Sequence, residues 1–434
     1  MAGDEARVVI LGGGLTGISA AVHLKLPWVL FEKEERLGGH ARTDERDGFR
    51  FDKTGHWLHL RDPYTKQLIA DLLPGQMVTV ERKARIFSHG ALTRFPFQAN
   101  LYGLPPEVIK ECLLGFIDAW EKRAQAGAPQ NFEEFILQKM GAGIARHFMV
   151  PYNQKLWGVH PREITSEWCS RFVPIPKLED VVAGAVGANP PEMGYNIGFL
   201  YPKHGGIETM TRALVGKMSG GDVHLRSSPE AIDWRKRTVT VGGERVAWRD
   251  IVATIPMPEL VRLLVDLPRE VADAAAKLRC TPVRYLNVAT RTNPPRDFHW
   301  IYVPEEKYPF YRVGIYTNAV PAMAPPGCGA YYVELSDRGP IERCREGIPD
   351  ALRALAAAGA ISSVDDVLFA DLKEIRWAYV VFDHDYYSSV KTITTWLEAQ
   401  RIWPRGRYGS WIYNAMEDSI LAGREVALSL SDGK

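Results

Sequence analysis

Cysteine is scarce and scattered in this 434-residue sequence: Cys112, Cys169, Cys280, Cys328 and Cys344 are odd in number and form no C-x-x-C pair. That spacing suits neither a disulfide framework nor a zinc site, so no metal is expected and a reducing, cytoplasmic compartment is. A dominant charge is missing as well. Lys and Arg number 53 against 52 Asp and Glu, a formal net charge of +1. Nothing in that balance points to nucleic acid or an anionic membrane as a partner, and any anion must be held by a few placed cations. No run of about eighteen apolar residues occurs, so no membrane span is expected. Val181–Ala188 is too short and too rich in glycine. Met1–Arg7 is acidic where a signal peptide needs basic residues, so none is expected. There is no internal repeat, and nothing that fixes an oligomeric state. What remains, 46% hydrophobic and 24% charged, is the make-up of an ordinary globular protein, and the length suggests two or three domains.

The strongest local signal lies near the start. Arg7–Leu11 is a short apolar run, Leu15–Lys25 has helical spacing, and Trp28–Phe31 is a second apolar run ending at Glu32. Between strand and helix stands Gly12-Gly-Gly14-Leu15-Thr16-Gly17. Gly12 permits the tight turn, Gly14 the approach of a pyrophosphate, and Gly17 close helix–strand packing, with the phosphates facing the helix N-terminus. Alone the pattern is weak. Here Glu32 follows Gly12 by twenty residues at a strand end, placed to accept from ribose hydroxyls.

Further along, 104–190 reads as helical. Pro105 and Pro106 open a segment with Val108, Leu113, Leu114, Ile117 and Trp120 on one face, and Asn131 offers a cap before Phe132. A helix over Thr209–Met218 precedes short strands at Val223–Arg226, Ala231–Trp234, Thr238–Val241 and Ile251–Thr254. Alternating runs dominate 281–336 and argue for a largely antiparallel sheet. The fold class expected is α/β: a discontinuous Rossmann-type dinucleotide-binding domain (1–90, 195–260 and 395–434), an inserted helical domain (100–194), and a largely antiparallel β-sheet substrate domain (261–394).

The stretch Glu32-x-x-x-Arg36-Leu-Gly38-Gly39-x-x-x-Thr43 resembles the second glycine motif of the FAD-dependent amine oxidase and protoporphyrinogen oxidase superfamily. The resemblance implies FAD, with Arg36 on the pyrophosphate and Gly38-Gly39 close to the isoalloxazine. Gly406-Arg407, followed by a helix carrying Asp418, looks like that superfamily's closing motif; Arg407 would reach the pyrophosphate.

A narrower resemblance comes in ordered blocks: Gly55-His56, Phe95-Pro-Phe97-Gln98, Pro151-Tyr-Asn153-Gln-Lys-Leu-Trp157, Trp300-Ile-Tyr302, Pro309-Phe-Tyr-Arg312, Phe382-Asp-His-Asp-Tyr386 and Arg405–Tyr413. These resemble UDP-galactopyranose mutases, most of all their eukaryotic-type branch. The chemistry of the residues agrees. Trp300 and Tyr302 lie two apart on one strand face and, with Phe95 and Phe97, can sandwich a uracil whose edge Gln98 reads. An arginine inside an apolar strand, as Arg312 is, needs a partner. The resemblance gives Arg312 and Arg171 the diphosphate, Tyr386 and Tyr413 the same phosphates, Asn153 and Asn196 the sugar pocket, Trp157 a place among the substrate-binding residues, and the backbone of His56 a place beside flavin N5. Each has a structural alternative: core packing for the aromatics, a salt bridge for the arginines. A tyrosine that the family places seven residues after Arg312 is Ala319 here, and the Tyr413–Asp418 segment is one residue shorter.

The implied reaction is a pyranose–furanose interconversion of a UDP-sugar, UDP-galactose by default, through a sugar adduct at N5 of reduced FAD, with NADPH or NADH as reductant. The rivals are a net oxidase or desaturase reoxidised by oxygen, and an idle flavoprotein used for binding.

Overall fold

The computed structural model of the chain describes residues 7–167, 173–188 and 198–432. Its first sheet has seven strands, with a parallel centre assembled from distant parts of the chain. Arg7–Leu11 pairs in parallel with Trp28–Phe31 on one side and with Glu244–Ala253 on the other. Gly221–His224 extends the sheet beyond Trp28–Phe31, and Ile402–Pro404 pairs with Glu244–Ala253. Val8, Val9, Ile10 and Leu11 are fully buried, as a parallel strand covered on both faces must be. The sequence reading catches these strands to within a few residues, except that Glu244–Ala253 begins well before Ile251, its amino-terminal half hairpinned to Thr238–Val241.

Helix Leu15–His23 runs back across this sheet, and the C-terminal helix Met416–Ser431 lies on it. The two backbones touch. A Cβ on Gly423 would overlap the Thr16 carbonyl oxygen, and Ser19 Oγ donates to the Ile420 carbonyl oxygen at 2.6 Å. The chain's end is thereby fixed beside its first turn.

The second sheet also has seven strands, in the order Val367–Val380, Cys280–Thr290, Gly329–Leu335, Phe310–Ile315, Trp300–Tyr302, Ala84–Ser88, Ala91–Arg94. All its pairs are antiparallel except Trp300–Tyr302 with Ala84–Ser88. Residues 84–94 pair with this second sheet, because the edge of Trp300–Tyr302 is satisfied by strand Ala84–Ser88 and not by a neighbour in sequence. Alternation along the strands sorts the side chains. Ile301, Val313, Tyr331 and Val333 pack into one core, under helix Ile348–Ala357, while Trp300, Tyr302, Arg312 and Glu334 take the other face.

The helical part comprises Pro106–Lys122, Phe132–Ile144, Val150–Trp157 and Leu178–Val186. Asn131 caps as its sequence position suggests, its side chain accepting from the Glu134 backbone N–H at 3.0 Å. Helices Pro106–Lys122 and Phe132–Ile144 meet backbone to backbone where Gly141, at φ +80, packs on Gly115.

Candidate active site

The two sheets and two glycine turns enclose a cavity of about 1090 Å³. At its floor Arg7–Leu11 ends in Gly12, at φ +99, where a Cβ would stand 2.6 Å from Thr254 Oγ1. A Cβ on Gly17 would overlap the Gly12 carbonyl oxygen, so Gly17 serves packing and does not line the cavity. Gly14 is different. A Cβ there meets nothing within 4 Å, and Gly14, Leu15 and Thr16 all line the cavity. No side chain caps the helix at Gly14, so its first backbone N–H groups stay available to an anion.

The second glycine turn leans on the first. Gly38 N–H donates to the Gly13 carbonyl oxygen at 2.8 Å, and a Cβ on Gly39 would lie 3.1 Å from Gly14 Cα. Gly38 and Gly39 hold φ of +120 and +59, which glycine alone adopts cheaply. Glu32, buried, lines the cavity and is oriented by backbone N–H groups of Gly13 at 2.7 Å and Glu34 at 2.9 Å. Gly55 and His56 form part of the wall, and a Cβ on Gly55 would overlap the Tyr332 hydroxyl. Arg407 donates to the Asn414 and Ala378 carbonyl oxygens at 2.7 and 3.0 Å, with its guanidinium 4.6 Å from the Tyr413 ring centre. Asp418 caps Met416–Ser431, accepting from the Ala415 N–H at 2.8 Å. Both line the cavity. This donor set fits FAD: an open backbone cradle at a helix N-terminus for the diphosphate, and a carboxylate for the ribose.

Arg36 departs from the sequence reading. Its guanidinium pairs with Asp44 at 2.6 Å and Glu208 at 3.0 Å and does not line the cavity. Arg42, Lys53 and His40 do. Burial pushes the His56 imidazole down to about 4 and that of His40 well below its ordinary value, so both rings are neutral at neutral pH.

Beyond the glycine turns the second sheet supplies a cross-strand row. Tyr302 stands opposite Arg312, and Arg312 opposite Glu334. Arg312 Nη2 donates to both Glu334 carboxylate oxygens, at 2.6 and 2.7 Å, and to Tyr379 Oη at 3.0 Å, while its Nε is buried with no protein partner. Burial opposes the charge of Arg312, but the Glu334 carboxylate and the surrounding tyrosines more than offset it, and the guanidinium stays charged. Arg312 is thus both salt-bridged and at the cavity. Phe95, Trp300, Tyr302 and Tyr413 share that wall. Phe95 and Tyr302 lie 5.3 Å apart, and Trp300 stacks on Trp57 at 6.1 Å.

The other candidates stand behind the wall. Phe97 is fully buried and stacked on Phe148 at 4.9 Å. Gln98 spends its amide N–H on the Pro174 carbonyl oxygen at 2.7 Å, and Asn153 on that of Met149 at 2.7 Å. Trp157 meets Tyr379 and Phe382 edge-on. Tyr386 gives its hydroxyl to the Trp411 carbonyl oxygen at 2.6 Å. None of the five lines the cavity. Arg171 and Asn196 lie outside the described residues. In place of Tyr386, Tyr379 stands beside Tyr413 at the cavity, their rings 6.2 Å apart and nearly parallel. Its sequence signal was available, since Ile375, Trp377 and Tyr379 repeat at the period of a strand.

Trp300→Ala should weaken UDP, TDP and GDP alike, by about 1–3 kcal/mol, since a ring face stacks any base. Calorimetric titration with the three diphosphates measures it; a loss confined to UDP would assign Trp300 a role in base choice.

A family model described as flavin containing amine oxidoreductase matches residues 15–427. Coproporphyrinogen III oxidase of Propionibacterium freudenreichii subsp. freudenreichii is 25% identical over 179 residues, 37% of this chain and 34% of that protein, so the match spans about a third of that curated relative. Among solved structures, that of a reduced UDP-galactopyranose mutase superposes with a TM-score of 0.91 at 25% identity, over 98% of this chain and 93% of that one. A putative protoporphyrinogen oxidase from Exiguobacterium sp. 255-15 superposes with a TM-score of 0.76 at 16% identity, over 99% of each chain, a likeness of fold.

Proposed function

The chain belongs to the flavin-containing amine oxidoreductase family and is UDP-galactopyranose mutase-like in structure, and from that premise we propose that it is a mutase interconverting the pyranose and furanose forms of a UDP-sugar, UDP-galactose by default. The observation that carries this reading is Arg312: a charged guanidinium on an aromatic wall, in the same cavity as the glycine cradle. A purely apolar or amine substrate has no use for a buried cation there. A nucleoside diphosphate does, because a guanidinium stabilises the phosphate charge that grows as the diphosphate departs.

Reduced FAD, when bound, supplies the nucleophile for the anomeric carbon. The protein's own contribution is positioning. Arg312, steadied by Glu334, grips the diphosphate, with Tyr379 and Tyr413 as hydroxyl donors beside it. Phe95, Trp300 and Tyr302 stack the base. His56, neutral and lining the cavity, would set its backbone beside the flavin without adding charge. Arg171 and Asn196 are proposed to complete the diphosphate and sugar contacts, with NADPH or NADH as reductant and the cytoplasm as the place of action.

Family membership favours one other reading, net oxidation with oxygen as acceptor. The two separate in one experiment. Purified protein, reduced with dithionite under nitrogen, should convert UDP-galactopyranose to the furanose form, while the oxidised protein should be idle, with no peroxide formed. Bleaching of the oxidised flavin by substrate, with oxygen uptake, would establish the oxidase instead.

A further inference from the structure

The hairpin of Thr43–Arg46 with Phe49–Asp52 ends on the facing pair Thr43↔Asp52. The next residues outward, Arg42 and Lys53, therefore leave the ladder side by side, and both line the cavity. Two cations so placed repel one another unless an anion sits between them. The Glu34 and Asp44 carboxylates offset this only in part. Arg42 has the half-exposed Glu34 carboxylate at 3.7 Å and donates to the Arg36 carbonyl oxygen at 3.2 Å, but its Nε is buried without a partner. Lys53 makes no side-chain hydrogen bond or ion pair among the described residues, and burial, with Arg42 beside it, pushes its ammonium down to about 8. Arg42 packs on Gly38, where a Cβ would stand 2.8 Å from its Cγ, and Gly38, Gly39, Gly14 and the uncapped N-terminus of Leu15–His23 line the same cavity. Arg36, the cation nearest in sequence to the glycine pair, is spent on Asp44 and Glu208.

We propose that Arg42 and Lys53 hold the diphosphate bridge of the bound FAD, in place of Arg36. The inference rests on the flavin reading above. A fork of N–H donors and a point charge flank the diphosphate from the hairpin, while backbone N–H groups meet it from the helix. The anion turns the repulsion between the two side chains into attraction, and they are positioning residues for the cofactor.

The test is the rate at which FAD leaves the purified holoprotein on dilution, followed by the fluorescence of the released flavin. Lys53→Met should lose FAD about ten- to a hundredfold faster than the wild type, as removal of one charge-assisted contact predicts. Lys53→Arg should restore most of the retention, which a merely structural lysine would not require. Arg42→Met should behave as Lys53→Met does; because Arg42 is buried and its loss can impair folding, the Lys53 pair decides. Arg36→Met should lower the melting temperature yet leave the dissociation rate within about threefold of wild type. Wild-type retention in Lys53→Met, or failure of Lys53→Arg to restore it, would overturn the assignment while leaving the flavin reading intact. A wild type that carries no FAD would remove both.

Discussion

Gly14→Val is expected to yield a folded, colourless protein. The replacement costs the protein itself little, about 1 kcal/mol for valine at a helix N-cap. Gly14 has φ −73 and ψ −179, extended backbone that any residue adopts, and a Cβ there meets no protein atom within 4 Å. All the interference falls on what the cavity takes up, because the two methyl groups would stand where the backbone must approach a diphosphate. FAD affinity should drop by upwards of about 4 kcal/mol, a thousandfold or more. Melting should fall only to the temperature of the flavin-free wild type, since stabilisation by a ligand disappears with the ligand. Gly17→Val is the contrast: its side chain would overlap the Gly12 carbonyl oxygen, so it should lower melting even without flavin. Flavin absorbance per chain and thermal melts of both variants are the measurements. A yellow Gly14→Val protein at full occupancy would mean the cradle is not where the dinucleotide lies.

Removing Arg312 should have two effects, and they can be pulled apart. Arg312→Ala takes a cation from the cavity wall and leaves the Glu334 carboxylate, buried, with no partner of opposite charge among the described residues. UDP affinity should fall by about 2–4 kcal/mol if the charge is desolvated around the diphosphate. Stability should fall by about 3–5 kcal/mol from the orphaned carboxylate. The double variant Arg312→Met with Glu334→Gln removes both charges and should recover most of the stability while UDP binding stays weak. Calorimetry with UDP and denaturant unfolding of the three proteins separate the effects. UDP affinity equal to wild type in the stable double variant would make Arg312 a structural partner of Glu334 and nothing more.

Much of the framework was legible because it is local. The turn from Gly12 to Gly17, between an apolar strand and a helix, needs only neighbours in sequence to declare itself, and Glu32 belongs to the same β-α-β unit. Asn131 before Phe132 reads as a cap because capping is settled within one turn. The alternating runs after 280 announce a sheet with two unlike faces, and Trp300, Tyr302 and Arg312 do share one. Strand partners were less accessible. Nothing in the composition of Ala84–Ser88 says that it will pair in parallel with Trp300–Tyr302, two hundred residues on.

By itself, then, the sequence determined a dinucleotide cradle, a second sheet with a polar stripe on an apolar strand, and a set of aromatics and arginines from which a nucleotide-sugar site can be assembled. Only the tertiary structure decided which of those side chains reach the cavity. Arg36 is the arginine the sequence motif offers, but Glu208, 172 residues away, captures it, and the hairpin delivers Arg42 beside Lys53. Tyr386 and Tyr379 flank the same loop, yet the hydroxyl of Tyr386 is taken by the Trp411 carbonyl, and Tyr379 is the one at the wall. Gln98 turns to Pro174 in the same way. The reason is common to all of them. A buried polar group points to whatever satisfies it, and that partner is set by the packing of distant segments, which spacing along the chain does not encode.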